Sequence, residues 1–404
     1  MSNAKTPFVV DWHAHFPIQF DPEATRRKRR FHRYLRGRPR ARESFRDRFR
    51  FFLLEIADRF LNREPFCGGH AVTLDTLVEG NVGVTLSVAY NPMDELEIEP
   101  WPAPPRPGYF ERLEHLLDRV EDAVRDDPAQ RARMVRNATE LKEALGDGKI
   151  AMIHVVEGGF HVGHGDEHVV EHTARLAKHG VAYVSPAHML WRRVATGAAC
   201  FPFLPDALYH ELFPQDPKIG LDDRGRVLVR EMVRHGILVD VAHMSERSMD
   251  EVFDLLDRVD PDKTVPIIAS HIACRTGPVE YNLREPYVKR IAERQGICGL
   301  TFCDHFVRSG NGRRTRNLGE SLERVHDQIA KLREWGGDDV LAIGSDLDGF
   351  IKPSLAGLSN ARDHAKLAAS LQERYGEALA KKICHENSLR VLERGWAKPF
   401  AWPD

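Results

Sequence analysis

Phe8-Val9-Val10-Asp11-Trp12-His13-Ala14-His15-Phe16 is an apolar, β-branched run that closes on two histidines. Residues two apart on a strand face the same side, so His13 and His15 can both reach one cation at the strand's C-terminal end. Such a pair is weak by itself, because a chain with 20 histidines is expected to hold about one His-x-His by chance. The rest of the sequence repeats the pattern. Further apolar runs span 84–90, 150–157, 181–188, 237–243, 265–271, 297–303 and 340–346, separated by helix-length segments. Eight buried-strand candidates alternating with helices predict an α/β chain wound in parallel, and eight strands close a (β/α)8 TIM barrel. The competing architecture is an open doubly wound sheet. No G-x-G-x-x-G follows the first run, and polar residues stand at many strand ends rather than at one switch point, which favours the barrel.

The helices are equally plain. Tyr109 to Val124 places Phe110, Leu113, Leu116, Leu117 and Val120 at helical spacing, and 361–392 reads as a long helical region broken near Gly376. A Pro-rich stretch, Glu99 to Pro105, makes a loop after the second strand. With 404 residues and 42% hydrophobic content, the chain can fill one barrel domain over 1–404, carrying a basic insertion at 21–66 and a closing segment at 386–404. Within the insertion, Arg26 to Arg50 holds thirteen Arg or Lys against Glu43 and Asp47, with Phe31, Tyr34, Phe45 and Phe49 interleaved. It reads either as an anion-binding arm or as a solvated helical insertion whose aromatics pack on the barrel. Because it follows the first strand, it emerges on the face of His13 and His15 and could form a lid.

A net charge of −2 argues against a general nucleic-acid or membrane-surface role. The six cysteines, Cys67, Cys200, Cys274, Cys298, Cys303 and Cys384, show no C-x-x-C spacing and suggest a reducing compartment. With no apolar leader before the first strand and no stretch near the ~20 apolar residues of a membrane span, a cytoplasmic location is expected.

In a barrel the strand ends converge on one mouth. They carry His13 and His15, Tyr90, Glu157, His188, His243, His271, Cys303 or Asp304, and Asp346. Imidazole and carboxylate are the ligands of zinc and related divalent ions, and a carboxylate such as Glu157 can bridge two cations. Four His, one Glu and one Asp suffice for two metals. Ser270 and Ser345, each one residue before a candidate ligand, are expected to point away from the mouth as supporting groups. No G-x-S-x-G elbow or activated cysteine offers a nucleophile instead.

The segments Asp11-Trp12-His13-Ala14-His15, Val156-Glu157-Gly158-Gly159, Gly180 to His188, Val239-Asp240-Val241-Ala242-His243, Ser270-His271 and Gly344-Ser345-Asp346-Leu347-Asp348-Gly349 resemble, in order and spacing, the motifs of the membrane dipeptidase family. The likeness runs to a closing helix at Glu386-Asn387-Ser388-Leu389-Arg390-Val391-Leu392. The resemblance implies a binuclear zinc (β/α)8 hydrolase that cleaves dipeptides through a metal-bridging hydroxide. Glu157 would bridge the ions, His13, His15 and Asp346 would hold one, and His243 and His271 the other. His188 would sit beside the scissile carbonyl, and Asp346 would pass the water's proton to the leaving amine.

Two positions depart from the family pattern. His15 stands where the family usually has Asp, so the first site loses a negative charge and gains a softer ligand. Tyr281 stands before Asn282-Leu283 where the family has its substrate-binding Arg, and a Tyr cannot make the bidentate pair with a substrate carboxylate. Tyr281, Asn282 and Arg275 are the candidate substrate-side residues; Arg284, Arg192, Arg193 or the basic insertion are the other cations that could replace the Arg. The expected partner is a small molecule, a dipeptide or similar amide, with no nucleic acid and homodimerisation left open. Alternatives are a related hydrolase of N-acyl amino acids, lactones or phosphoesters, and a non-catalytic polyanion binder that uses the Arg26 to Arg50 arm.

Overall fold

The computed structural model describes residues 6–20, 70–97, 101–202, 204–349 and 353–403. Its strands are β1 (Val9–Ala14), β2 (Val82–Ala89), β3 (Ala132–Met134), β4 (Ile150–Glu157), β5 (Tyr183–Ser185), β6 (Leu238–Asp240), β7 (Ile267–Ile272), β8 (Cys298–Leu300) and β9 (Leu341–Ile343). They run in the order β2-β1-β9-β8-β7-β6-β5-β4, and a parallel pairing of β4 with β2, from Ala151 against Val84 to Val156 against Ala89, closes the ring. This is the eight-stranded parallel barrel of a (β/α)8 fold. Every residue of β1 and β4 is buried, as expected of strands with side chains inside the ring on one face and helices on the other.

β3 is additional to the eight predicted runs. It pairs with the start of β4, on the edge that β5 takes further along at Val156 and Glu157. Ala132-Arg133-Met134 is too short and too polar at its centre to register as a strand in the sequence. A second difference decides the site. β5, β6 and β9 stop at Ser185, Asp240 and Ile343, so His188, His243 and Asp346 each stand three residues beyond the pleat, on turns at the barrel mouth. His243 and Asp346 adopt left-handed backbone, φ 64° and 58°, which non-glycine residues seldom do outside functional sites.

The helix Tyr109–Arg125 buries Tyr109, Phe110, Leu113, Leu116, Leu117, Val120 and Val124 on one face, in the predicted span to within a residue. The region after 361 comprises His364–Lys381, a π-helical turn at Lys382–Glu386 and the helix Asn387–Gly395, with non-helical backbone at Gly376. This last helix fastens the foot of the barrel. Trp12 donates to Ser388 Oγ at 2.6 Å, and Asn387 donates to the carbonyls of Asp338 and Leu341. The basic insertion at 21–66, including Arg26 to Arg50, lies outside the described residues. No helix among the described residues is long and apolar enough to cross a membrane.

Candidate metal centre

Two carboxylates in the barrel wall set the positions of the ligands. Asp11 in β1 accepts the backbone N–H and hydroxyl of Ser345, at 2.8 and 2.6 Å, and the N–H of His13. Asp240 in β6 repeats the arrangement with the N–H and hydroxyl of Ser270, again 2.8 and 2.6 Å, and the N–H of Ala242. Each clamp fixes the backbone just before a candidate ligand, Asp346 in one case and His271 in the other. Gly299 and Gly344 make room for the second clamp, because a Cβ at either would lie 1.9 or 1.8 Å from the Ser270 carbonyl oxygen. Ser345 and Ser270 are supporting groups: Ser270 turns toward the His13 and His271 rings rather than away from them, whereas Ser345 bonds the Asp11 oxygen that also faces His364. Ser270 Oγ also lies 2.8 Å from His271 Nδ1.

The imidazoles converge on Glu157. Its Oε1 lies 3.4 Å from His13 Nε2, 3.3 Å from His243 Nε2 and 3.5 Å from His271 Nε2, while Oε2 lies 3.5 Å from His15 Nε2 and 3.3 Å from His188 Nε2. Asp346 Oδ1 lies 3.3 Å from His15 Nε2. Two ligand sets share the carboxylate: His13, His15 and Glu157, and Glu157, His243 and His271, with the ligand atoms of each set within 4.8 Å of one another. All five of these residues are buried.

The donor chemistry fits divalent cations. Tyr183 donates its hydroxyl to the Trp12 carbonyl and so accepts from His13 Nδ1–H at 2.8 Å; Ser270 donates to Asp240 and so accepts from His271 Nδ1–H. Both rings therefore keep the hydrogen on Nδ1 and can turn a bare Nε2 into the cup, the usual state of a zinc-binding imidazole. Nε2 atoms meet in pairs, 3.2 Å for His13 and His15 and 3.0 Å for His243 and His271. Bare nitrogens at such separations repel unless a positive charge stands between them.

Electrostatics divides the group. Burial alone would raise the Glu157 carboxyl, but the imidazoles of His188, His13 and His243 hold it well below the ordinary carboxylate range. Burial works against a charged His188, yet the carboxylates of Glu157 and Glu95 push its pKa up to about 9. His13 is raised against burial by Glu157 and Asp346, whereas burial lowers His243 and His271, helped by the neighbouring His188 and His13 respectively.

Residues 61–398 match the family model described as membrane dipeptidase, peptidase family M19. The chain belongs to the membrane dipeptidase family. With that family go the metallo-dipeptidases, and this metallo-dipeptidase is 27% identical over 351 residues to "Dipeptidase tcpJ" of Claviceps purpurea, covering 85% of this chain and 73% of the relative. Among solved structures it resembles a metallopeptidase titled "dipeptidase AC", with a TM-score of 0.70 and 23% identity over 98% of this chain and 100% of the other. A metallopeptidase from Rhodobacter sphaeroides, bound to a phosphinate mimic of L-Ala-D-Ala, gives a TM-score of 0.67 at 24% identity, covering 97% and 100%.

The substrate-side candidates of this dipeptidase lie around the second ligand set. Tyr281 packs edge-on against the His243 ring, with centroids 4.8 Å apart, stacks on Phe306 and donates its hydroxyl to the His271 carbonyl at 2.5 Å. Asn282 is buried and donates to the carbonyls of Cys274 and Phe306 and to Ser309 Oγ. The alternative cations are engaged. Arg275 and Arg284 both bond Glu246, Arg193 lies over the Trp191 ring, and Arg192 is buried with donors on the Ala103, Asp94 and Glu95 carbonyls and the Tyr109 hydroxyl. Arg192 thus braces a loop and is not available to a substrate. Glu95, Tyr183 and the two clamp carboxylates escaped the sequence reading. Asp11 and Asp240 did leave a signal, since a carboxylate inside an apolar strand must find partners.

Proposed function

We propose that this family member hydrolyses dipeptides with two divalent cations, zinc in preference to others, held by His13, His15 and Asp346 on one side, His243 and His271 on the other, and Glu157 between. The observation that carries this is the division of the Glu157 carboxylate, one oxygen facing His13, His243 and His271 and the other facing His15 and His188. Bound there, such ions would polarise the scissile carbonyl and supply an acidified water near neutral pH.

The protein's own groups do the rest. Asp346, held on its turn by the Asp11 clamp, takes a proton from the attacking water and returns it to the departing amine, so the C–N bond breaks with a neutral leaving group. His188 turns Nε2 toward the cup and donates to the carbonyl oxygen as negative charge develops on it. Tyr281 forms a wall beside His243, with Asn282 anchoring the loop that carries it. Arg275, three residues past the end of β7, is the proposed partner for the substrate carboxylate, exchanging its bond to Glu246 for the ligand. The buried free thiols of Cys200, Cys274, Cys298, Cys303 and Cys384 support a cytosolic setting.

The test is hydrolysis of a dipeptide panel, including L-Ala-D-Ala, beside N-acyl amino acids, lactones and phosphoesters, using chelator-stripped protein refilled with zinc. Cleavage of dipeptides that depends on added metal is the expected result. Turnover confined to the other classes would displace the proposal.

A further inference from the structure

Glu95 lies at the end of the short helix Pro92–Glu95, on the loop that leaves β2 at the barrel mouth, and it is wholly buried. Its Oε2 accepts from the Tyr90 hydroxyl and from His188 Nδ1, both at 2.6 Å, and its Oε1 accepts the Leu190 N–H at 2.8 Å. Arg192, two residues beyond Leu190, bonds the carbonyls of Asp94 and Glu95 at 2.5 and 2.6 Å. The β2 loop and the β5 loop are thereby cross-locked with the Glu95 carboxylate between them. The rings of Tyr90 and His243 meet His188 edge-on, each with centroids 4.5 Å away.

We propose that Glu95 is a positioning residue that keeps a hydrogen on His188 Nδ1 and fixes the direction of the ring for the hydrolysis. This rests on the dipeptidase assignment above. A carboxylate has no hydrogen to give, so His188 Nδ1 must carry one whatever the charge of the ring. Nε2 is then the atom delivered to the cup, 3.3 Å from Glu157 Oε2. Glutamine cannot replace this. It brings one acceptor oxygen to three donors, and its amide nitrogen either faces another N–H or donates to a bare Nδ1, which moves the ring hydrogen to Nε2.

The experiment combines kinetics with NMR on zinc-loaded enzyme. Glu95→Gln is expected to lower kcat by ~10- to 100-fold, as changes beneath a working histidine usually do. KM and zinc content should stay within about threefold of wild type, and the same substitution in a His188→Asn background should cost less than about threefold more. In 1H–15N spectra of histidine-labelled wild type, His188, assigned by its loss in His188→Asn, should show hydrogen on Nδ1, and Glu95→Gln should shift or abolish that signal. A wild-type ring protonated only on Nε2 would overturn the proposal, as would an undiminished penalty in the His188→Asn background or a kcat loss that follows zinc loss. The wild-type spectrum decides the matter even if Glu95→Gln fails to fold. It also separates the two hypotheses: a protein inactive on every dipeptide removes the proposed function, whereas the ring hydrogen still reports on Glu95.

Discussion

Glu157→Gln should weaken both cation sites together. The substitution keeps the shape of the side chain but removes its charge and one of its two acceptor oxygens. Five imidazole Nε2 atoms lie 3.3–3.5 Å from those oxygens. At 3.4 Å and an effective dielectric of about 20, each unit of opposite charge is worth ~5 kcal/mol, which bounds the effect from above. Deleting one partner of a buried charge pair typically costs ~3–5 kcal/mol. At ~1.4 kcal/mol per decade, affinity should fall by at least about 100-fold. Competition for Zn2+ between metal-free protein and a chromogenic chelator measures this directly, with elemental analysis after dialysis giving the stoichiometry. Retention of both ions at wild-type affinity, or loss of one ion alone, would refute the shared-carboxylate argument.

Other perturbations separate chemistry from scaffolding. Asp346→Asn should reduce turnover by ~10²- to 10⁴-fold when it is compared with wild type at matched ion content, reached with added zinc because the substitution also removes a charged ligand, as measured by steady-state kinetics and elemental analysis of the same sample; near-wild-type turnover would remove the proton-transfer role. Arg192→Met should lower the unfolding free energy in urea by ~3–5 kcal/mol, because it strands buried carbonyls of Ala103, Asp94 and Glu95; an unchanged midpoint would mean that water replaces the guanidinium. Glu121, bonded by His154 and His179 and near Arg136, has its carboxyl lowered to about 2. A depressed folded pKa gives stability that is complete above the unfolded value of 4.5 and lost as pH falls toward 2, so Glu121→Gln should flatten the acid limb of the stability curve in that window; an acid limb of unchanged slope would contradict it.

The barrel was legible because strands buried on both faces must be apolar throughout, which made eight short runs stand out between amphipathic helices. The ligands were legible because histidines and carboxylates at the ends of such runs have few other reasons to recur. Their local geometry was hidden: His188, His243 and Asp346 stand on turns past the strand ends, and no periodicity reports where a pleat stops. Glu95 was invisible for a different reason. It sits in Asp94-Glu95-Leu96-Glu97, which reads as a solvated acidic loop, and only contact with His188 and Leu190, some 93–95 residues away, buries it. Tyr183 was masked by its own environment, since an aromatic inside an apolar run reads as core. The hydroxyl that orients His13 is seen only once β5 and β1 face one another across the barrel.

Anomalous diffraction at the zinc edge from crystals of the zinc-loaded enzyme tests the central claim most directly. The account predicts two peaks in the barrel mouth, about 3.5–4 Å apart, with the Glu157 carboxylate between them and imidazole nitrogens of His13 and His15 on one, His243 and His271 on the other. A single peak, or peaks that leave Glu157 outside the coordination of either ion, would contradict it.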